Sequence, residues 1–153
     1  MILIYNHGAH MIKIVKLLAL ICLLTACEVN NNVAVIDVWA RASAPGQSVG
    51  AAYMTLISAQ DTTFVRAETP IASSVEIHSM TMDNGVMKMR MLAEMPLTAG
   101  KPEKLAPGGF HLMLFDLKKQ LKVGEKVDLT LTFRDNSGKI TQQMLTFPIK
   151  EAE

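Results

Sequence analysis

From residue 33 onward the chain alternates between short runs of β-branched and apolar residues and compact turn-forming clusters. Nowhere after Cys27 does it sustain an apolar period of 3.6 residues. The strand-like runs lie at 33–39, 50–58, 62–67, 74–82, 86–91, 109–115, 126–133 and 139–147. Between them stand Ala44-Pro45-Gly46, Asp83-Asn84-Gly85, Ala106-Pro107-Gly108-Gly109 and Asp135-Asn136-Ser137-Gly138. These clusters supply the positive φ, preset φ and side-chain caps that tight turns require. Short strands at this spacing predict an all-β sandwich or barrel. The 153 residues are enough for one such domain with a sizeable core, and no repeat, low-complexity tract or linker divides it. The run from Lys126 alternates cleanly, with Val127, Leu129, Leu131 and Phe133 on one face and Asp128, Thr130 and Thr132 on the other. Met54 and Trp39, each on an apolar run, are expected in the core.

The first residues belong to a different kind of segment. Met11 opens a stretch carrying Lys13 and Lys16, followed by an apolar run over 17–24 that ends in Leu24-Thr25-Ala26-Cys27. This resembles a bacterial lipoprotein signal, with the cysteine acylated and left as the first mature residue. Residues 1–26 are read as the signal, with Met11 able to serve as its start, 27–32 as a lipidated tether containing Asn30 to Asn32, and 33–150 as the folded domain. The apolar run is shorter than the roughly 20 residues of a membrane span, which leaves an uncleaved anchor as the lesser alternative. On this reading Cys22 leaves with the signal, Cys27 carries lipid, and no thiol remains for a disulfide, catalysis or metal. His7 and His10 leave too, so only His78 and His111 survive. An Asp directly after the lipidated cysteine would resemble an inner-membrane retention signal; Glu28 stands there instead, which favours a periplasm-facing lipoprotein of the outer membrane where the organism has one.

Charge excludes one class of partner. The formal net charge of +1 gives no electrostatic case for nucleic acid. Methionine is the anomaly, because six of the 11 fall between Met80 and Met95. Residues 75–91 read as a β-hairpin closed by Asn84-Gly85, the dipeptide preferred in two-residue turns. Period-two alternation sets His78, Met80 and Met82 on one face of its first strand, and Met87, Met89 and Met91 on one face of its second. A later run sets His111 and Met113 on a common face. Two imidazoles and several thioethers can therefore gather on one rim, provided that the strands pair suitably. Thioether sulfur is a soft, neutral ligand that favours Cu(I), and imidazole adds affinity without negative charge. Such a site keeps Cu(I) exchangeable and resists oxidation better than thiolate in the envelope. Both imidazoles must be neutral to ligate, so affinity should weaken in acid.

These residues resemble the motif of the periplasmic copper chaperones called PCuAC: a His, ten residues, a Met, twenty-one residues, then His-x-Met. His78, Met89, His111 and Met113 match at all four positions. The surrounding segments Val38-Trp39-Ala40-Arg41, Gly50-Ala51-Ala52-Tyr53-Met54-Thr55-Leu56, Val75-Glu76-Ile77-His78 and Leu105-Ala106-Pro107-Gly108-Gly109 are also similar to that family. The resemblance implies a cupredoxin-like β-sandwich holding one Cu(I) ion. His78, Met89, His111 and Met113 would be its ligands, and the family supplies the Cu-A centre of cytochrome c oxidase. Many members carry a His- and Met-rich C-terminal tail. This sequence ends in Ile149-Lys150-Glu151-Ala152-Glu153, so a second copper site is not expected.

Met80, Met82, Met87 and Met91 are read chiefly as an accessory rim or as packing, with coordination the lesser alternative. Lys88 and Arg90 form a solvated strand face. No Gly-x-Ser-x-Gly elbow, phosphate loop or His-Glu-x-x-His zinc pattern occurs, and the chain is not expected to be an enzyme. The expected function is a Cu(I) metallochaperone, bound to the membrane by its lipid. Its client would be a copper-accepting protein such as cytochrome c oxidase subunit II or another copper chaperone. A lipoprotein that buffers copper or confers resistance without delivery is the alternative.

Overall fold

A computed structural model describes residues 33–151. The signal, the tether and the lipidation position Cys27 lie outside the described residues. Ten strands and no helix make up the described chain. They are β1 (Val33–Arg41), β2 (Val49–Ser58), β3 (Thr62–Glu68), β4 (Ser74–Asp83), β5 (Val86–Leu92), β6 (Met95–Leu97), β7 (Glu103–Leu105), β8 (His111–Phe115), β9 (Lys126–Asp135) and β10 (Ile140–Lys150). All eight expected runs are strands. The three-residue β6 and β7 are additional.

The hydrogen-bonded path runs β5-β4-β8-β2-β1-β10-β9-β3-β6, with β7 pairing to β2 beside β8. Every ladder is antiparallel except β1 with β10, which meet in parallel only over Ala40↔Ile149 and Arg41↔Lys150. That short seam joins two sheets. Ala52, Leu56, Ile77, Leu112 and Leu114 of the first sheet and Phe64, Leu97, Leu129, Leu131 and Phe133 of the second enter one buried cluster. The result is a cupredoxin-like sandwich that stays open at β5 and β6, rather than a closed barrel. Phe64 and Phe133 lie in the centre with ring centroids 5.4 Å apart, a separation at which tilted aromatic pairs attract.

Alternation decides what remains for the other face of the first sheet. In β4 and β8, Ile77, Leu112 and Leu114 point into the core. Their neighbours Glu76, His78, Met80, His111 and Met113 must therefore point out. In β1 the parity changes partway. Val35 opposes Leu56, but Ala40 opposes Ala52, with a register shift between Ile36 and Trp39 and a positive φ of 54° at Asp37. This bulge inserts one residue and sends Trp39 and Arg41 to the outer face. The expectation of a core Trp39 is thereby corrected: its ring stacks on Tyr53, centroids 4.5 Å apart, outside the buried cluster. Met54 is in the core as expected. Thr132, expected on the polar face of β9, keeps that face but is buried there beneath the amide of Gln142, 3.4 Å away.

Candidate metal centre

The site is built on the outer face of β5, β4, β8 and β2. The β4–β5 turn has two central residues, Asn84 and Gly85, with φ of 51° and 79°. Positive φ at both positions matches the twist of the flanking strands. The hairpin places three pairs directly opposite one another: Met82 with Met87, Met80 with Met89, and His78 with Met91. On the other side of β4, His78 opposes His111 and Glu76 opposes Met113. Met113 in turn faces Ala51 of β2. Cross-strand neighbours on one face have Cβ atoms about 5 Å apart, close enough for long side chains to converge.

A cavity of about 220 Å³ opens beside these pairs, and Met80, Met89, His111, Met113, Arg41 and Tyr53 are among the residues that line it. Three of the four motif residues thus line one cavity, and Met80 joins them. His78 is next to His111, ring centroids 5.9 Å apart, but does not line the cavity. Met82, Met87 and Met91 stay outside it with more than half of their surface exposed. Arg41 lies 5.7 Å from the centre of the Tyr53 ring, a cation–π distance. Burial raises the Tyr53 hydroxyl above its ordinary pKa, against a smaller lowering by the Arg41 charge, so the cavity lining includes a neutral phenol.

The two imidazoles are held in opposite senses. His111 is only 4% exposed, and its Nδ1 lies 3.0 Å from the carbonyl oxygen of Gly109. A carbonyl only accepts, so Nδ1 carries the proton and Nε2 is left with the free lone pair. The same carbonyl accepts the backbone N–H of Met80 at 3.1 Å, while the N–H of Gly109 closes a turn to Ala106 at 3.0 Å. Gly108, at φ 82°, gives that turn its shape. In His78 it is Nε2 that is engaged, 2.8 Å from a carboxylate oxygen of Glu76. Its Nδ1 is buried with no hydrogen-bond partner among the described residues. A buried acceptor left in this way costs about 1–3 kcal/mol, a cost that a ligated ion removes. Among the described residues no three His, Cys, Asp or Glu side chains converge to hold a metal ion.

Glu76 and Gly109 received no role in the sequence reading. Alternation alone would have put Glu76 beside His78, two residues away on the same face. The carbonyl of Gly109 has no sequence signal, because any residue presents one.

A two-sheet, cupredoxin-like β-domain with thioethers and imidazoles gathered on the outer face of one sheet is the class that fold and site define. Residues 33–147 match the family described as "Putative lipoprotein LpqE-like", and the chain belongs to that family. It is 32% identical over 108 residues to "Putative lipoprotein Lxx21020" of Leifsonia xyli subsp. xyli, a match covering 70% of this chain and 65% of that one. The chain spans less than two thirds of the length of the curated relatives it matches. Among solved structures it is similar to the Cu(I) form of DR1885 from Deinococcus radiodurans, at 33% identity and a TM-score of 0.57, over 74% of this chain and 75% of that one. The copper-bound PCuAC domain from PmoF2 superposes with a TM-score of 0.63 at 20% identity, over 78% of this chain and 93% of that domain, and shows the shared fold.

Proposed function

We propose that this domain binds one Cu(I) ion through His78, Met89, His111 and Met113 and passes it to a copper-requiring client. The observation that carries the reading is the cavity that Met89, His111 and Met113 line together, with His111 held so that Nε2 is free. Met80 lines the same cavity, which makes it the accessory residue best placed to join the ligand set; Met82, Met87 and Met91 form a rim. The similarity to the Cu(I) form of DR1885 supports the choice of metal. Neutral soft ligands match Cu(I) and leave its charge uncompensated, which favours exchange over trapping. Transfer is a ligand exchange. Each Cu–S bond to a methionine of this chain breaks as a bond to a client donor forms, copper stays in the +1 state, and no substrate bond changes. The Cu-A centre of cytochrome c oxidase is the proposed destination. Acylation at Cys27, with 27–32 as tether, would hold the domain on the periplasmic face of the envelope; the family description supports the lipoprotein part of this reading.

The test is an anaerobic titration with Cu(I) against a competing chromophoric chelator. One equivalent bound tightly is expected, with affinity falling more than about 100-fold in His111→Ala, beyond what loss of a supporting residue costs. A protein that leaves the chelator fully loaded does not bind Cu(I), and the reading is then wrong.

A further inference from the structure

Resting on the Cu(I) reading above, we propose that Glu76 is a positioning residue for copper. It fixes His78 as the Nε2–H tautomer, so that His78 ligates through Nδ1 while His111 ligates through Nε2. Two observations lead there independently. The carboxylate of Glu76 lies 2.8 Å from Nε2 of His78, and a carboxylate in that place can only accept, so the proton sits on Nε2. The opposite nitrogen, Nδ1, is buried and has no partner among the described residues. A lone pair held in the interior with nothing to accept is what a ring awaiting a metal ion presents.

The surroundings of His78 leave few other ways to hold the ring. Its side chain is 12% exposed, against 35% for Glu76. Phe115 packs on one side at 6.1 Å between ring centroids, His111 stands at 5.9 Å, and Met91 faces it across the hairpin. Among these Glu76 alone has a side-chain oxygen that accepts the Nε2 proton. Histidines that bind metals regularly donate their second N–H to a carboxylate or a carbonyl, which fixes the tautomer and increases the donor strength of the ligating nitrogen. This site uses one of each: the Glu76 carboxylate for His78 and the Gly109 carbonyl for His111. The carboxylate also places a negative charge one ring away from a Cu(I) ion whose direct ligands are all neutral. It strengthens the hold on the ion without occupying a coordination position that a client must displace.

The test reads nitrogens directly. Long-range ¹H–¹⁵N correlation spectra of the protein, recorded at mildly alkaline pH with and without one equivalent of Cu(I), assign the tautomer and the ligating nitrogen of each histidine. In the apo protein His78 is expected as Nε2–H and His111 as Nδ1–H. Addition of Cu(I) should shift Nδ1 of His78 and Nε2 of His111. Glu76→Leu should scramble the His78 tautomer and weaken Cu(I) binding about 10–100-fold, with the His111 tautomer unchanged. Glu76→Gln keeps an amide oxygen that accepts from Nε2–H and should restore the tautomer and most of the affinity. A copper-induced shift at Nε2 of His78 overturns the inference and leaves the Cu(I) reading standing. So does a Glu76→Leu protein with native tautomer and affinity. If no histidine nitrogen responds to Cu(I), both fall together.

Discussion

Met54 and Met89 are the same side chain put to opposite uses, and strand parity separates them. Met54 is 1% exposed in the core, whereas Met89 is 47% exposed on the rim of the cavity. Met54→Ala should therefore cost about 2–5 kcal/mol by chemical denaturation, the range for removing a buried large side chain. Met89→Leu conserves volume at a partly exposed position and should alter stability by less than about 0.5 kcal/mol. Its Cu(I) affinity should nevertheless fall, as chelator competition would measure, because a methyl group replaces a donor sulfur. A Met89→Leu protein that binds Cu(I) like the native chain would remove Met89 from the ligand set. At this scale much was legible. The motif spacing singles out His78, Met89, His111 and Met113, and alternation sets their faces. Trp39 was not legible, because the bulge at Asp37 reverses parity within β1 and leaves no pattern in the residue types.

The β4–β5 hairpin is the element on which the site depends, and it runs along an open edge of the first sheet. Both faces of β5 are solvated: Met87, Met89 and Met91 lie on the side of the site, and Lys88 and Arg90 on the other. An exposed edge strand with three methionines invites pairing with another chain, and charged side chains along the edge are a common defence. Lys88 is also paired with Asp83 across the turn, which keeps a charge at the hairpin tip. The double substitution Lys88→Val, Arg90→Val should leave the cavity wall intact but make the protein self-associate with rising concentration, as sedimentation velocity would show. A protein that remained monomeric would mean that another feature protects the edge. The hairpin could be read from Asn84-Gly85 and the alternating methionines. β6 and β7 could not: three residues are too few to display a period, and Pro96 in β6 is tolerated only because that strand is an edge.

Across the whole molecule, the sandwich and the site use opposite faces of the same strands. Ile77, Leu112 and Leu114 hold β4 and β8 to the core while Glu76, His78, His111 and Met113 face away from it. An all-β class was legible because patterning is local. The parallel seam that joins the sheets was not, since two residue pairs between the first and last strands leave no mark on either sequence. The division of faces has a thermodynamic consequence. Metal binding is not needed to complete the core, so the apo domain should be folded, unlike small domains whose folding is the binding of a metal. Cu(I) should then stabilise it only by mass action, by about 2.7 kcal/mol when free ion exceeds the dissociation constant 100-fold. Calorimetry of the apo and loaded protein should show two cooperative transitions, the loaded one at higher temperature, and removal of copper by a chelator should restore the first. His111→Ala should unfold at the same temperature with or without Cu(I). An apo protein lacking a cooperative transition would mean that the methionine and histidine face contributes to the fold itself, contrary to the separation that the strand parity describes.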